Sequence, residues 1–299
     1  MPIEDFIITV YCCIEDTLKK IIGIAPLRRK GFEPKLTDAE VLTMEVVGEF
    51  MGIDTDKGIW EYFRNHWLAY FPKLGCRSNF VRQAANLWKV KQYMQQELAE
   101  YLGVFCDPVH MCDGFPIPAC KFKRAYFSKL FKEEGEAAYG YCASKNEHYF
   151  GFKGNILIDS QGVITALTIT SANIDERQSL WDLVGKIEGN IIADKGLIGA
   201  DFKQELKEAT NIELQTAVRA NMQEKRSEKF IRHLISTRRL VETVIGQLSE
   251  RFHIEKLWAR DKWHLTCRIA RKILAHTVAV FINRKLGRSP LQFDGLVTC

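Results

Sequence analysis

Three acidic residues stand where chemistry could be done: Asp113 before Gly114, Asp194 before Lys195-Gly196, and Glu242 within TRRLVETVIGQLSERF. An aspartate closing an apolar run ahead of a glycine turn sits at a strand end, and in open α/β sheets such ends converge on one crevice. The stretch between the two aspartates leaves room for a hairpin and a helix. At about 100° per residue, Leu240, Val241, Val244, Ile245 and Leu248 form one apolar stripe. Glu242 falls on its edge with Arg238, Gly246 and Ser249, so its carboxylate can reach a cleft, and Gly246 leaves space beside it. Taken singly, each aspartate reads as a turn residue and Glu242 as one half of an i, i+4 ion pair with Arg238. Together they are three oxygen donors without a Cys/His cluster, the set a hard divalent cation such as Mg²⁺ or Mn²⁺ takes. Two such ions about 3.5–4 Å apart would activate an attacking water or 3′-hydroxyl and stabilise the leaving oxygen of a phosphodiester.

The elements that must hold these groups are legible in the patterning. Apolar residues at three- and four-residue spacing predict helices over Ile7–Ile22, Leu36–Phe50 and Phe80–Leu102. Thr37-x-x-Glu40 is a capping box for the second, and Ser78 an N-cap for the last. An aromatic-rich stretch between them completes a compact helical domain, with Arg77, Arg82 and Lys89 on or near the recognition helix of a helix-turn-helix unit. From residue 104 the texture changes. VFCDPVHMCDG predicts a buried strand, and His148–Ile158 with Val163–Thr170 predict a hairpin through Asp159-Ser160-Gln161-Gly162. A helix near Ile174–Ile187, a strand Asn190–Ala193, a helix near Ala200–Ala209 and the run IELQTAV follow, and two long helices occupy the chain after Gln223. Strands in series and then alternating helices and strands describe a mixed α/β sheet. The expected organisation is an all-α N-terminal domain over 1–102, an α/β catalytic domain over 103–288 and a tail over 289–299. Asp107, Asp159 and Asp175 compete as acids but read as turn and capping residues.

The chain has 299 residues, 46% of them hydrophobic, enough for a substantial core. No uncharged apolar run reaches about 18 residues, and the opening MPIEDFIITVYCC carries acids where a secretory signal needs a basic flank. A soluble cytoplasmic protein with no membrane partner is expected. The 9 cysteines are scattered with no C-x-x-C pair, which argues against a disulfide framework or a zinc site. Net charge is only +5, yet Ala217–Arg288 holds 17 Lys and Arg against 6 Asp and Glu. Such a surplus suits phosphate neutralisation and makes DNA the expected partner, with Trp258 and Trp263 packing on a deoxyribose or in the core.

At these residues the sequence resembles the DDE transposases of bacterial insertion sequences. The matching blocks are Asp113-Gly-Phe-Pro-Ile-Pro-Ala-Cys120, Tyr149-Phe-Gly-Phe-Lys-Gly154 with Ser171-Ala-Asn-Ile-Asp175, Ile191-Ile-Ala-Asp194-Lys-Gly196, and Arg238-Arg-Leu-Val-Glu242. Leu36-Thr-Asp-Ala-Glu40, Phe71-Pro and Arg77-Ser-Asn-Phe look like the helical leader of one subgroup of short transposases. The resemblance implies a ribonuclease-H-like catalytic domain in which Asp113, Asp194 and Glu242 bind metal. It also implies cleavage and strand transfer at terminal inverted repeats, insertion into target DNA, and a homodimer on double-stranded DNA. Arg238 matches the arginine of a Y-R-E-K signature whose tyrosine and lysine positions hold Ile235 and Ser249, with Arg251 or Lys256 as substitutes for the lysine. Lys153, Lys195 and Arg239 are further candidates for DNA phosphate. The rival readings are a nuclease or resolvase of the same fold without strand transfer, and a catalytically silent DNA-binding descendant.

Overall fold

The computed structural model describes residues 1–24, 27, 33–131, 137–185, 187–217 and 226–298. The chain divides into two compact units, one of residues 1–98 with 248–299 and one of residues 99–247. Residues 248–288, expected in the α/β domain, cluster with the N-terminal helices.

In the first unit α1 (Ile3–Ile24), α2 (Asp38–Phe50), α3 (Asp56–His66) and α4 (Arg77–Asn86) pack with α9 (Lys262–Lys285), and α5 (Trp88–Tyr101) leads out of it. The capping box of α2 forms as expected, Thr37 and Glu40 each satisfying the other's backbone N–H. The expected helix over Phe80–Leu102 is two helices broken at Leu87, and α4 is capped at Cys76, so Ser78 lies inside its first turn. Ten residues, 67–76, separate α3 from α4, more than the turn of about 3–4 residues that joins a helix-turn-helix pair.

α2 is buried on every face, and the reason is electrostatic as well as apolar. Glu45 and Glu49 on α2 and Asp54 and Asp56 beyond it meet Lys91, Arg268, Arg271 and Lys272. Lys91 Nζ lies 2.7 Å from Glu45, Lys272 Nζ 2.7 Å from Glu49, and Arg271 donates to both Glu49 and Asp56. Three cations of the basic last third are therefore consumed inside this unit rather than offered to phosphate. Desolvation of charges is tolerable here because each has an opposite partner.

The second unit is built on a six-stranded sheet of β1 (Val109–Lys121), β2 (Ala138–Cys142), β3 (Glu147–Asp159), β4 (Ile164–Ser171), β5 (Gly189–Ala193) and β6 (Ile212–Thr216). β3 pairs antiparallel with β1, β2 and β4, whereas β1–β5 and β5–β6 are parallel. The hairpin β3–β4 turns at Asp159, whose carboxylate accepts from the backbone N–H groups of Gln161 (2.9 Å) and Val163 (2.8 Å). Between β4 and β5 lies α6 (Glu176–Leu183), capped by Asp175, and between β5 and β6 lies α7 (Ala200–Thr210). Both helices bury their apolar sides on one face of the sheet, where Leu180, Leu183 and Leu206 meet Cys112, Leu157, Ile191, Ala193 and Leu214. α8 (Glu228–Glu250) follows and ends in the first unit.

Two strands differ from expectation. β1 does not stop at Asp113-Gly114 but runs on to Lys121, because Gly114 keeps its place opposite Asn155 and pairing with β3 continues beyond it. β2 is an added strand at the sheet edge, too short and too glycine-interrupted to show in the periodicity.

Candidate active site

Strand alternation decides where the carboxylates point. Cys112 and Ala193 face the core under α6 and α7, so Asp113 and Asp194, one residue further along, face the opposite side. The parallel ladder pairs His110 with Ile191 and Met111 with Ile192, and ends there. Two residues past the last pair, Asp113 and Asp194 stand at equivalent positions where β1 and β5 part. Asp194 is thus at a strand end as expected, while Asp113 is mid-strand, at the end of one ladder only.

On that side Arg238 of α8 gathers all three predicted carboxylates. Its Nη2 donates to Asp113 Oδ2 at 2.8 Å, its Nη1 donates to Glu242 Oε1 at 3.1 Å, and Nη1 lies 3.5 Å from Asp194 Oδ1. α8 presents Arg238 and Glu242 together because residues four apart share a helix face. The buried stripe of the same helix includes Leu234, Val241 and Val244. Outside the backbone of α8 itself and the residues flanking Gly246, no described atom lies within 4 Å of where a side chain on Gly246 would begin, which leaves open space one turn after Glu242.

A fourth carboxylate borders the site. Glu176 Oε1 is 3.5 Å from Lys153 Nζ, and a Cβ on Gly196 would stand 2.9 Å from Glu176 Oε2. The Glu176 carboxylate in the first turn of α6 thus lies beside the turn after Asp194. Sequence reasoning assigned Glu176 no role, since its nearness depends on how α6 packs and no local pattern carries that. Burial pushes the Asp113 carboxyl up to about 6; Arg238 and the Gly114 N–H oppose the rise, while Asp194 and Glu176 add to it. Burial likewise raises the neighbouring Cys112 thiol, which is inert core and no nucleophile.

The remaining candidates separate. Lys153 lies beside the site, held by Glu176 and the Ile174 carbonyl, and its chain passes next to Gly114. Lys195 and Arg239 are exposed in the second unit. Arg251 and Lys256 belong to the first unit, where Arg251 pairs with Asp294 at 3.0 Å and lies over the Phe50 ring. Trp258 and Trp263 are 74% and 42% exposed and so are not core residues. Asp107 accepts from the backbone N–H groups of Val109 and Ser160, and Asp175 caps α6, both structural as expected.

Residues 104–262, more than half of the chain, match the family model described as a transposase DDE domain. The chain belongs to that family. Asp113, Asp194 and Glu242 of this DDE-domain transposase all fall inside the matched region. Neither a comparison with curated proteins nor one with solved structures finds a match.

The donor set can be tested against a divalent ion. Among the described residues, no three His, Cys, Asp or Glu side chains are grouped closely enough to hold an ion as they stand. The reason is visible: Asp113, Asp194 and Glu242 turn to a guanidinium. Among the ion pairs of the described residues, Asp113, Asp194, Glu242 and Glu176 meet Arg238 and Lys153, four acids against two bases. All-oxygen donors with excess negative charge fit a hard divalent cation. Among the described residues no helix is long and apolar enough to cross a membrane.

Proposed function

We propose that this transposase cleaves DNA strands at insertion-sequence ends and joins the resulting 3′-hydroxyls to target DNA, with Asp113, Asp194 and Glu242 as the catalytic carboxylates. The single observation that carries the reading is their convergence, from β1, the end of β5 and α8, on Arg238. The sheet, with three antiparallel strand pairs and two parallel ones and helices alongside, supports a ribonuclease-H-like reading of the domain. Asp113, Asp194 and Glu242 would hold Mg²⁺ or Mn²⁺, and two such ions would supply Lewis acidity to the attacking and leaving oxygens of the phosphodiester.

The protein's own residues then have defined tasks. Arg238 offsets part of the negative charge of Asp113, Asp194 and Glu242, and were those carboxylates to hold ions its guanidinium would be available for phosphate. Asp113, titrating near 6, is mostly ionised at neutral pH. Lys195, exposed directly after Asp194, together with Lys153 and Arg239 would contact backbone phosphate, and Arg251 and Lys256 are proposed as further DNA contacts in their own unit. Pairing two terminal inverted repeats for joining calls for a homodimer in the DNA complex.

The test uses DNA carrying the element's ends, intact or pre-nicked, with Mg²⁺. Asp113→Asn, Asp194→Asn and Glu242→Gln should each abolish cleavage and joining while duplex binding persists. Retained cleavage in any one removes that residue from the site, and cleavage without joining of pre-nicked ends would favour a nuclease or resolvase. Failure of the parent protein on both substrates, with duplex binding retained, would mark a silent descendant.

A further inference from the structure

One face of the catalytic unit exposes aromatic rings that the strand-cleavage site does not use. Phe122, Tyr126, Phe127, Tyr139 and Tyr141 are 47%, 79%, 82%, 51% and 52% exposed. They lie at the far end of β1, in the turn after it and on β2. Tyr139 and Tyr141 alternate around Gly140, and the reason is steric. A Cβ on Gly140 would lie 2.8 Å from Ala172 Cβ and 2.9 Å from the buried Tyr149 ring, so the glycine lets Tyr149 fill one side while both tyrosines stand out on the other. Cross-strand pairing puts Tyr141 opposite His148 and Tyr139 opposite Phe150. The rings form a continuous strip: Phe122 is 5.6 Å from Tyr139 and 5.6 Å from His148, and His148 is 4.8 Å from Tyr141. Tyr126 and Phe127 add a second pair 5.1 Å apart.

Exposed aromatic area of this extent marks an interaction surface. Its charge indicates the kind of partner. The described residues from Lys121 to Tyr149 hold the basic side chains Lys121, Lys123, Arg124, Lys129 and Lys145 against one acid, Glu147, all six exposed. Counting 132–136, which lie outside the described residues, the stretch remains net positive, six basic residues against four acidic. A protein partner would be served by the rings alone. Stacked bases joined by phosphates are served by rings and cations together. Duplex DNA hides its base faces, so the ligand that fits is unpaired DNA.

We infer that Phe122, Tyr139 and Tyr141, extended by Tyr126 and Phe127, form a stacking platform for single-stranded DNA on the catalytic unit. The inference rests on the reading of the chain as a DNA-cleaving transposase and adds to it a separate strand-holding surface. Phe122 lies nine residues beyond Asp113, at the turn that follows β1, so the platform stands at most roughly 30 Å from the cleavage site at about 3.3 Å per residue. That is about nine nucleotides of a stacked strand at about 3.4 Å each. A strand freed at Asp113 could be kept from re-annealing at this distance.

The experiment measures binding of the full chain to a fluorescent thymidine oligonucleotide and to a duplex of equal length, by anisotropy, without divalent ions. The Phe122→Ala/Tyr139→Ala/Tyr141→Ala variant alters exposed side chains, and its fold is checked by circular dichroism. Expected is a loss of single-strand affinity of about 10-fold or more with duplex affinity unchanged within about twofold. Tyr139→Phe/Tyr141→Phe, which keeps the rings, should retain single-strand binding. Equal weakening on both probes, or none on the single strand, overturns the platform. So does an oligomeric state that changes in the variant while single-strand binding does not, which would make the strip a protein interface. A parent that binds duplex but no single strand refutes the platform alone; a parent that binds neither refutes the DNA-cleavage reading with it.

Discussion

Replacing Arg238 with glutamine would leave Asp113, Asp194 and Glu242 facing one another without a counter-charge. The size of the effect follows from exposure. The contact with Asp113 is charge-assisted and mostly buried, both side chains being less than a quarter exposed, and such a bond contributes about 1.5–3 kcal/mol. Asp194 and Glu242 are about half exposed, so their shares are about 0.2–1 kcal/mol each after solvent screening. Glutamine can keep one neutral hydrogen bond, about 1 kcal/mol. The net loss expected for Arg238→Gln is therefore about 1–4 kcal/mol near neutral pH. Hydrogen exchange followed by mass spectrometry should show it as roughly 5- to 1000-fold faster exchange of β1 and β5 amides. The sign of the pH dependence is fixed by Asp113. Its folded pKa, about 6, lies above the ordinary 3.8, so its contribution is fully present below 3.8 and is lost as pH rises through 6. Without Arg238 the opposition to burial is gone and the pKa climbs further. The variant's deficit should then be large at pH 8 and small at pH 5, and Mg²⁺ should reduce it more than it stabilises the parent. A deficit of equal size at both pH values, or none at either, would refute the view that the guanidinium is the counter-charge of these carboxylates.

Other expectations concern the helical unit and the DNA contact. Burial would raise the Asp56 carboxyl, but Arg271 and Arg268 outweigh it and hold it at about 2, so its contribution of about 2 kcal/mol is present above 3.8 and is lost as pH falls through 2. Acid titration of Asp56→Asn should lack that component; an unchanged acid limb would disprove the pairing. Arg271→Met leaves Glu49 and Asp56 short of a partner in the interior and should cost about 3–5 kcal/mol in urea unfolding, and less when combined with Glu49→Gln. Full additivity of the two changes would mean that the pair is not coupled. Lys195→Ala should weaken duplex binding by a similar factor for all sequences and lower the salt slope by about 1. Sequence-selective loss would instead place Lys195 against base edges.

Much of this molecule was readable from local pattern. The capping box at Thr37 and Glu40, the hairpin turn at Asp159 and the cap at Asp175 are satisfied by neighbours within a few residues, so the sequence carries all the information they need. The placement of Asp194 after a strand and of Glu242 on a long helix was also legible, because strands and helices leave periodic signals. Asp113 was misplaced at a strand end because Asp-Gly ordinarily marks a turn. Pairing with β3 overrides that preference, and Gly114 sits opposite Asn155, whose amide oxygen lies close to it.

What local pattern could not supply was the partner of each charge. Arg238 sits i, i+4 from Glu242 and looks like half of an ordinary helix pair, yet its shortest bond is to Asp113, 125 residues away. Arg271 and Lys272 look like part of a phosphate-binding stretch, yet they neutralise acids more than two hundred residues earlier in the chain. Composition determined that positive charge is concentrated in the last third; the tertiary structure decided which of those charges remain for DNA. The physical reason is that Coulomb attraction and desolvation depend on distance and burial in space, which hydrophobic periodicity along a chain does not encode.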